Sequence, residues 1–280
     1  MKKLIYIIPL IFLIITACTE RIDIPLDSSF TRLVVYGTIT TDTTTHYVQL
    51  TKTTSYYYNE APPPVTSATL EISDDAGNTE SLTEEEPGKY ATSPHFAAIQ
   101  GRTYTLRIEL AEKINGQSSY IASSFVPTIH SIDSIGLVYH ADWGDKGVYE
   151  VTCYYQDPPT KDFYMFNIYK NGELLTDTIT RRPITNDDFF NGNYTNGIGV
   201  GYLNQSNPRE VLKPGDVVTF QGCSITEDYY KFVTALQAVT GYQNPLFSGP
   251  PANVKGDVSD GAVGFFATYP VAYASKVFSP

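Results

Sequence analysis

Apolar and polar residues alternate along many short stretches of this chain, the period-2 signature of strands with one buried face. Arg32 to Ile39 is the first such stretch and His46 to Thr51 the second, with Thr40 to Thr45 as a polar hairpin loop between them. Ala68 to Ser73 predicts a third strand, which Asp74-Asp75-Ala76-Gly77-Asn78 turns into a partner containing Glu80, Ser81 and Leu82. Pro87-Gly88 leads into Lys89 to Thr92, and Gly101 precedes an alternating run from Tyr104 to Leu110. Asn115-Gly116 suits the positive φ angles of a tight hairpin and predicts a return through Tyr120 to Ser123. About seven short strands at a spacing of roughly 8–12 residues predict a β-sandwich over residues 30–127, ending at Pro127. Tyr56 to Pro64 interrupts the pattern as an aromatic, extended, proline-rich segment.

Residues 128–280 form a second stretch of strands with one helical interruption. Ile132 to Tyr139, Tyr149 to Tyr155 and Phe163 to Lys170 read as strands. Asn171-Gly172 is the strongest hairpin signal in the chain, with Glu173 to Ile179 expected as the returning strand. Pro214-Gly215-Asp216 turns into Val217 to Gln221. A helix near 227–240 follows: Thr226 can cap it, Glu227 and Asp228 complement its positive end, and Gly241 stops it. Tyr229, Phe232, Val233 and Leu236 recur at helical spacing and predict the face that packs on a sheet. A terminal strand is expected over Gly261 to Tyr269, after Asn244-Pro245 and Gly249-Pro250-Pro251. There are no heptads and no internal repeat.

The N-terminus departs from this pattern. Met1-Lys2-Lys3 is followed by 12 apolar residues, Leu4 to Ile15, and then Thr16-Ala17-Cys18. A positive start, a short apolar core and small residues before a cut define a secretory signal over residues 1–17. The apolar run falls short of the ~20 residues that span a bilayer. Ile15-Thr16-Ala17-Cys18 resembles a bacterial lipobox, in which the thiol of Cys18 carries diacylglycerol. A multiply acylated Cys18 would hold the protein at a membrane, with residues 18–29 as its tether. Glu20 and Asp23, close behind Cys18, resemble the surface-export signal of Bacteroidota lipoproteins.

Composition fits this picture. The chain has 22 Tyr and 14 Phe with only 18% charged residues, a balance suited to pleated, half-buried surfaces. Its net charge is −11, and losing Lys2 and Lys3 with the signal makes it more acidic still. Such a surface repels phosphate backbones, which excludes nucleic acid as a partner. Cys153 and Cys223 could form a disulfide outside the cytoplasm, a pairing the sequence leaves open.

No catalytic residues and no cofactor site emerge. His46, His95, His130 and His140 are scattered without ligand spacing, so no metal site is expected of them. No nucleophile elbow, phosphate-binding loop or zinc-protease helix occurs. Asp74-Asp75 and Glu84-Glu85-Glu86 sit in turns, where carboxylates are solvated. The most suggestive segment is the loop 185–197. Its oxygen-rich side chains could hold calcium, but its spacing fits no EF-hand, and a solvated loop is the simpler reading. It also carries Phe189, Phe190 and Tyr194, which are costly to expose and mark a ligand or partner contact.

Several segments resemble the domain-of-unknown-function 4249 family of Bacteroidota outer-membrane lipoproteins. They are the lipobox, Leu33 to Ile39, Ala68-Thr69-Leu70 before Asp74 to Asn78, Pro87 to Tyr90, Gly101 to Leu106, and Ile132 to Ile135. Asn244-Pro245, Pro250 to Asp257 and Gly264-Phe265-Phe266 complete the order. The resemblance implies an N-terminal immunoglobulin-like β-sandwich and a β-barrel-like or sandwich domain with one α-helix. It also implies a non-enzymatic, lipid-anchored outer-membrane protein facing the cell exterior, an accessory or ligand-capture partner of a TonB-dependent transporter. The alternatives are a structural or adhesive surface module, and a surface hydrolase with an unrecognised site.

Overall fold

The structure is a computed structural model that describes residues 31–54, 61–241 and 254–279. The expected signal, the tether with Cys18, the tyrosines at 56–58 and the Asn244-Pro245 and Gly249-Pro250-Pro251 segments lie outside the described residues. Among those described, the chain is mainly β with one α-helix, as its alternation and turn chemistry require.

The first half supplies seven strands: β1 (Leu33–Thr40), β2 (Tyr47–Lys52), β3 (Thr69–Asp74), β4 (Thr79–Glu86), β5 (Lys89–Ala91), β6 (Thr103–Ile114) and β7 (Gln117–Phe125). They form a sheet in the order β1-β2-β5-β4-β3-β6-β7, joined on the outer edge of β1 by β15 (Val263–Tyr269). The alternate residues Leu33, Val35 and Ile39 of β1, Leu70 and Ile72 of β3, and Leu106 and Ile108 of β6 all enter one core. Because strands from both halves of the sheet share that core, the sheet must fold over on itself. Its two edges meet again: Thr268 N–H of β15 donates to Ser124 Oγ of β7 at 2.9 Å, and Ser259 N–H donates to the Ile121 carbonyl at 2.9 Å. The result is a sandwich whose sheet is nearly closed into a barrel. Burying each large aliphatic residue there contributes about 1.5–3 kcal/mol.

The second half is organised around a sheet buried on both faces. Its strands are β10 (Phe163–Lys170), β11 (Glu173–Leu174), β14 (Val217–Ile225) and β16 (Val271–Val277), in the order β11-β10-β14-β16, with β12 (Ile184–Asn186) also on β10. Asn171 and Gly172 adopt φ of 51° and 83° and make the expected β10–β11 hairpin. The returning strand stops at Leu174 rather than Ile179, and a 3₁₀ turn occupies Ile179–Arg181. One face of this sheet (Tyr164, Phe166, Ile168, Val218, Phe220) packs on a three-stranded sheet of β8 (Ser134–His140), β9 (Val148–Tyr154) and β13 (Ile198–Asn204). The other face (Phe163, Met165, Cys223, Ile225) packs on helix α1 (Glu227–Thr240) and on Phe265, Ala267 and Tyr269 of β15.

Helix α1 starts and ends where its sequence says. Thr226 Oγ1 accepts the Tyr229 N–H at 3.2 Å, and Gly241 N–H donates to the Gln237 carbonyl at 2.8 Å. Tyr229, Phe232 and Val233 are buried, and the Tyr229 ring meets Phe265 with centroids 5.0 Å apart. Strand β15 separates two cores by alternation alone: Phe266 points into the first, while Phe265 and Ala267 point toward α1. It runs parallel to β1, pairing Val34 with Val263 and Thr40 with Tyr269. Gly264, at φ 103°, lies so close to β1 that a Cβ would collide with the Val35 carbonyl.

The two cysteines do not pair. Both are buried free thiols. Cys153 lies among Ile135, Val151 and Phe166, on the side of the central sheet that Phe220 faces, whereas Cys223 points the opposite way, beside Met165 and Ile225. The whole thickness of a sheet separates them, so the disulfide left open by the sequence is not formed. Burial pushes both thiols up to about 12.

Candidate functional site

The loop singled out in the sequence follows β12 and folds back over the segment after β9. Its anchor is Asp157, which is 1% exposed. One oxygen, Oδ1, accepts the Tyr164 hydroxyl at 2.7 Å and the Tyr155 hydroxyl at 3.1 Å; the other accepts the Gly192 N–H at 3.1 Å. Burial raises both phenols well above their ordinary pKa, so they remain donors at any physiological pH.

A second buried carboxylate fixes the start of the loop. Asp187 Oδ2 accepts the Asp162 N–H at 2.9 Å, and the Asp187 carbonyl accepts N–H groups from Phe190 and Asn191, each at 2.8 Å. Further along, Asp157 N–H donates to the Asn193 carbonyl at 3.1 Å, Thr195 N–H to the Tyr155 carbonyl at 3.0 Å, and Tyr155 N–H to Thr195 Oγ1 at 3.1 Å. The loop is therefore held by its backbone rather than left to drape. Its carboxylates serve as hydrogen-bond acceptors, and among the described residues no three His, Cys, Asp or Glu side chains gather as metal ligands. Asp187 Oδ1 is buried without a hydrogen-bond partner, and Asp162, partly desolvated and facing Asp187 and Asp157, has its pKa raised.

The three aromatic candidates have different fates. Phe190 is a core residue, 8% exposed, its ring stacked on Tyr164 at 6.2 Å. Tyr194 is 41% exposed, near Asp133. Phe189 is 97% exposed, a full aromatic ring held in water by a rigid loop. Phe189 and Phe190 are neighbours in one turn, yet only Phe190 is seated in the core and Phe189 projects into solvent.

Two groups escaped the sequence reading. Asp257 lines a cleft beside α1 with Asp228, Lys231, Phe232, Lys255 and Phe265. Its Oδ1 accepts the Phe266 N–H at 3.0 Å while Oδ2 is buried without a partner, and burial pushes its carboxyl up to about 7. The other is a set of rings on the outer face of the β13-β9-β8 sheet, including Trp143 and Tyr202. Both depend on distant residues: Phe265 and the α1 side chains reach Asp257 through strand crossing, and Tyr202 reaches Trp143 through sheet pairing. Among the described residues, no helix is long and apolar enough to cross a membrane.

The profile of one protein family, described as "Domain of unknown function (DUF4249)", matches residues 19–274. No curated protein matches the chain. Among solved structures, a DUF4785 family protein from Legionella pneumophila is similar at 11% identity and a TM-score of 0.23, over 69% of this chain. The chain spans 52% of that protein's length.

Proposed function

We propose, from the premise that the chain belongs to the DUF4249 family, that it is a non-enzymatic cell-envelope lipoprotein that docks on an outer-membrane partner. In this reading Cys18 carries the lipid and the body faces the cell exterior of a Bacteroidota cell. The partner is a TonB-dependent transporter, for which the protein serves as an accessory or ligand-capture subunit. The observation that carries the proposal is Phe189. A phenylalanine 97% exposed on a loop fastened by two buried carboxylates is a preformed anchor. Covering it would contribute about 1.5–3 kcal/mol, with little ordering cost left to offset.

The test is isolation of the tagged full-length protein from its native host in mild detergent. Co-purification of a transporter, reduced by Phe189→Ser and abolished with membrane attachment by Cys18→Ser, is the expected result. Recovery of the lipoprotein alone, with Phe189→Ser indistinguishable, would overturn the reading. A second reading, a surface hydrolase, draws on the raised pKa of Asp257 in its cleft near Asp228. Loss of a surface hydrolytic activity in Asp257→Asn, with partner binding intact, would favour it instead.

A further inference from the structure

The three-stranded sheet of β8, β9 and β13 buries one face in the second core and turns the other outward. Strand pairing arranges that outer face in three cross-strand rows: Gly136-Thr152-Gly199, Val138-Glu150-Tyr202 and His140-Val148-Asn204. The glycines matter because side chains of the neighbouring strand lie over them. A Cβ on Gly199 would collide with Glu150 Oε1, and one on Gly136 with Thr152 Oγ1. The first row is thus a low floor on which a carboxylate and a hydroxyl recline. Thr152, 5% exposed, has its Oγ1 buried there with no hydrogen-bond partner.

Aromatic rings stand at the other end. The Trp143 indole stacks on the His140 imidazole, with centroids 3.8 Å apart and planes 8° from parallel. His140 Nε2 lies 2.8 Å from Glu150 Oε2, so the imidazole is itself fixed. Tyr202 meets the indole at 5.8 Å and 60°. Trp143 and Tyr202 are nevertheless 43% and 56% exposed. An indole clamped from beneath and open above is an organised surface.

We propose that this face binds a neutral oligosaccharide. A pyranose ring offers an apolar C–H face, which packs on an aromatic ring, and an edge of hydroxyl donors. Here the rings are Trp143 and Tyr202, and the acceptors are Glu150 and the Asn204 side-chain oxygen. Charge selects the class. The chain carries a net −11, and Asp142 and Asp145 flank Trp143, so anionic sugars, phosphates and nucleic acids are repelled. Size agrees: alternate residues repeat every ~6.8 Å along a strand, so three rows give room for about two or three sugar rings but only part of the ~800 Å² per partner of a stable protein interface. The inference is independent of the membrane-anchor reading.

Trp143 is the chain's single tryptophan, so its emission reports this surface alone. The mature protein is titrated with neutral hexasaccharides of glucose, xylose, mannose and galactose, and with a sulfated hexasaccharide as the anionic probe. At least one neutral sugar should shift the emission saturably, with affinity falling tenfold or more in Tyr202→Ala and unchanged in Phe125→Ala, an exposed ring on β7. Calorimetry on Trp143→Ala, its fold checked by circular dichroism, should show no binding. No saturable response to any neutral sugar, tighter binding of the sulfated probe, or undiminished binding by Tyr202→Ala would each overturn the proposal.

Discussion

Replacing Asp157 with alanine should cost the protein a large part of its stability and release the loop that presents Phe189. Three donors converge on this carboxylate: the hydroxyls of Tyr164 and Tyr155 and the N–H of Gly192. Hydrogen bonds to a charged group are worth about 1.5–3 kcal/mol each, and a buried donor left without a partner costs about 1–3 kcal/mol. Against that, alanine removes the penalty of holding a carboxylate away from water, and the two phenols can satisfy one another. The net expectation is a loss of about 3–5 kcal/mol, the range seen when one side of a buried charged network is deleted. Within a total stability of about 5–15 kcal/mol this is a major fraction. Denaturant unfolding followed by circular dichroism measures the global effect, and amide exchange at Gly192 and Thr195 the local one. Asp157→Asn keeps an acceptor for the phenols but sets an N–H group against Gly192, so it should lose roughly half as much. A loss below about 1 kcal/mol for Asp157→Ala, with exchange at Gly192 unchanged, would refute the claim that this carboxylate fastens the loop.

Asp257 gives a pH test. Its folded pKa lies above its unfolded value, so the native state holds the extra proton between about pH 4 and 7, and stability falls as pH rises through that window. Asp257→Asn should match the parent near pH 4 and exceed it by roughly 1–2 kcal/mol above pH 7, after allowance for the group's remaining exposure; a parallel pair of stability–pH curves would contradict this. Cys153 and Cys223, buried with thiols pushed up to about 12, should resist iodoacetamide in the native protein and both react in denaturant, as counted by intact mass. Thr226→Ala removes the cap on α1 and should cost about 1 kcal/mol in denaturant unfolding. Phe190→Ala should cost about 3–5 kcal/mol, whereas Phe189→Ala should change stability by less than about 0.5 kcal/mol.

Much of the architecture was legible because it is written locally. Alternation located β2 and β6, apolar runs located β1 and β10, Asn171-Gly172 located a hairpin, and Thr226 with Gly241 bounded the helix. What escaped was decided by distant residues. Strand β13 is rich in glycine and carries an irregular register between Gly199 and Gly201, so it lacks the branched, alternating signature of a strand. Strand β16, small and mixed in sequence, is specified by its pairing with β14. The stretch after Leu174 looks like a strand, yet Thr176 turns its hydroxyl to the Ile168 N–H, and the ladder ends. In the candidate loop, composition marked Phe189, Phe190 and Tyr194 together; only the fold decides that Phe190 anchors and Phe189 projects. His140 and Trp143 share one turn at the end of β8, but Tyr202 joins them only once β8, β9 and β13 are paired.

The parallel pairing of β15 with β1 has a bearing on the order of folding. Val34 waits for Val263, so the closing strand of the first sheet is made only after β8 to β14 and helix α1. Until then β1 presents bare N–H and C=O groups along one margin, a template for pairing with other chains. Joining ends so far apart in sequence slows folding. A chain synthesised from its N-terminus therefore completes its first sheet only after the strands of the second core have been made as far as β14, and a truncation before Val263 would leave that margin open and prone to association.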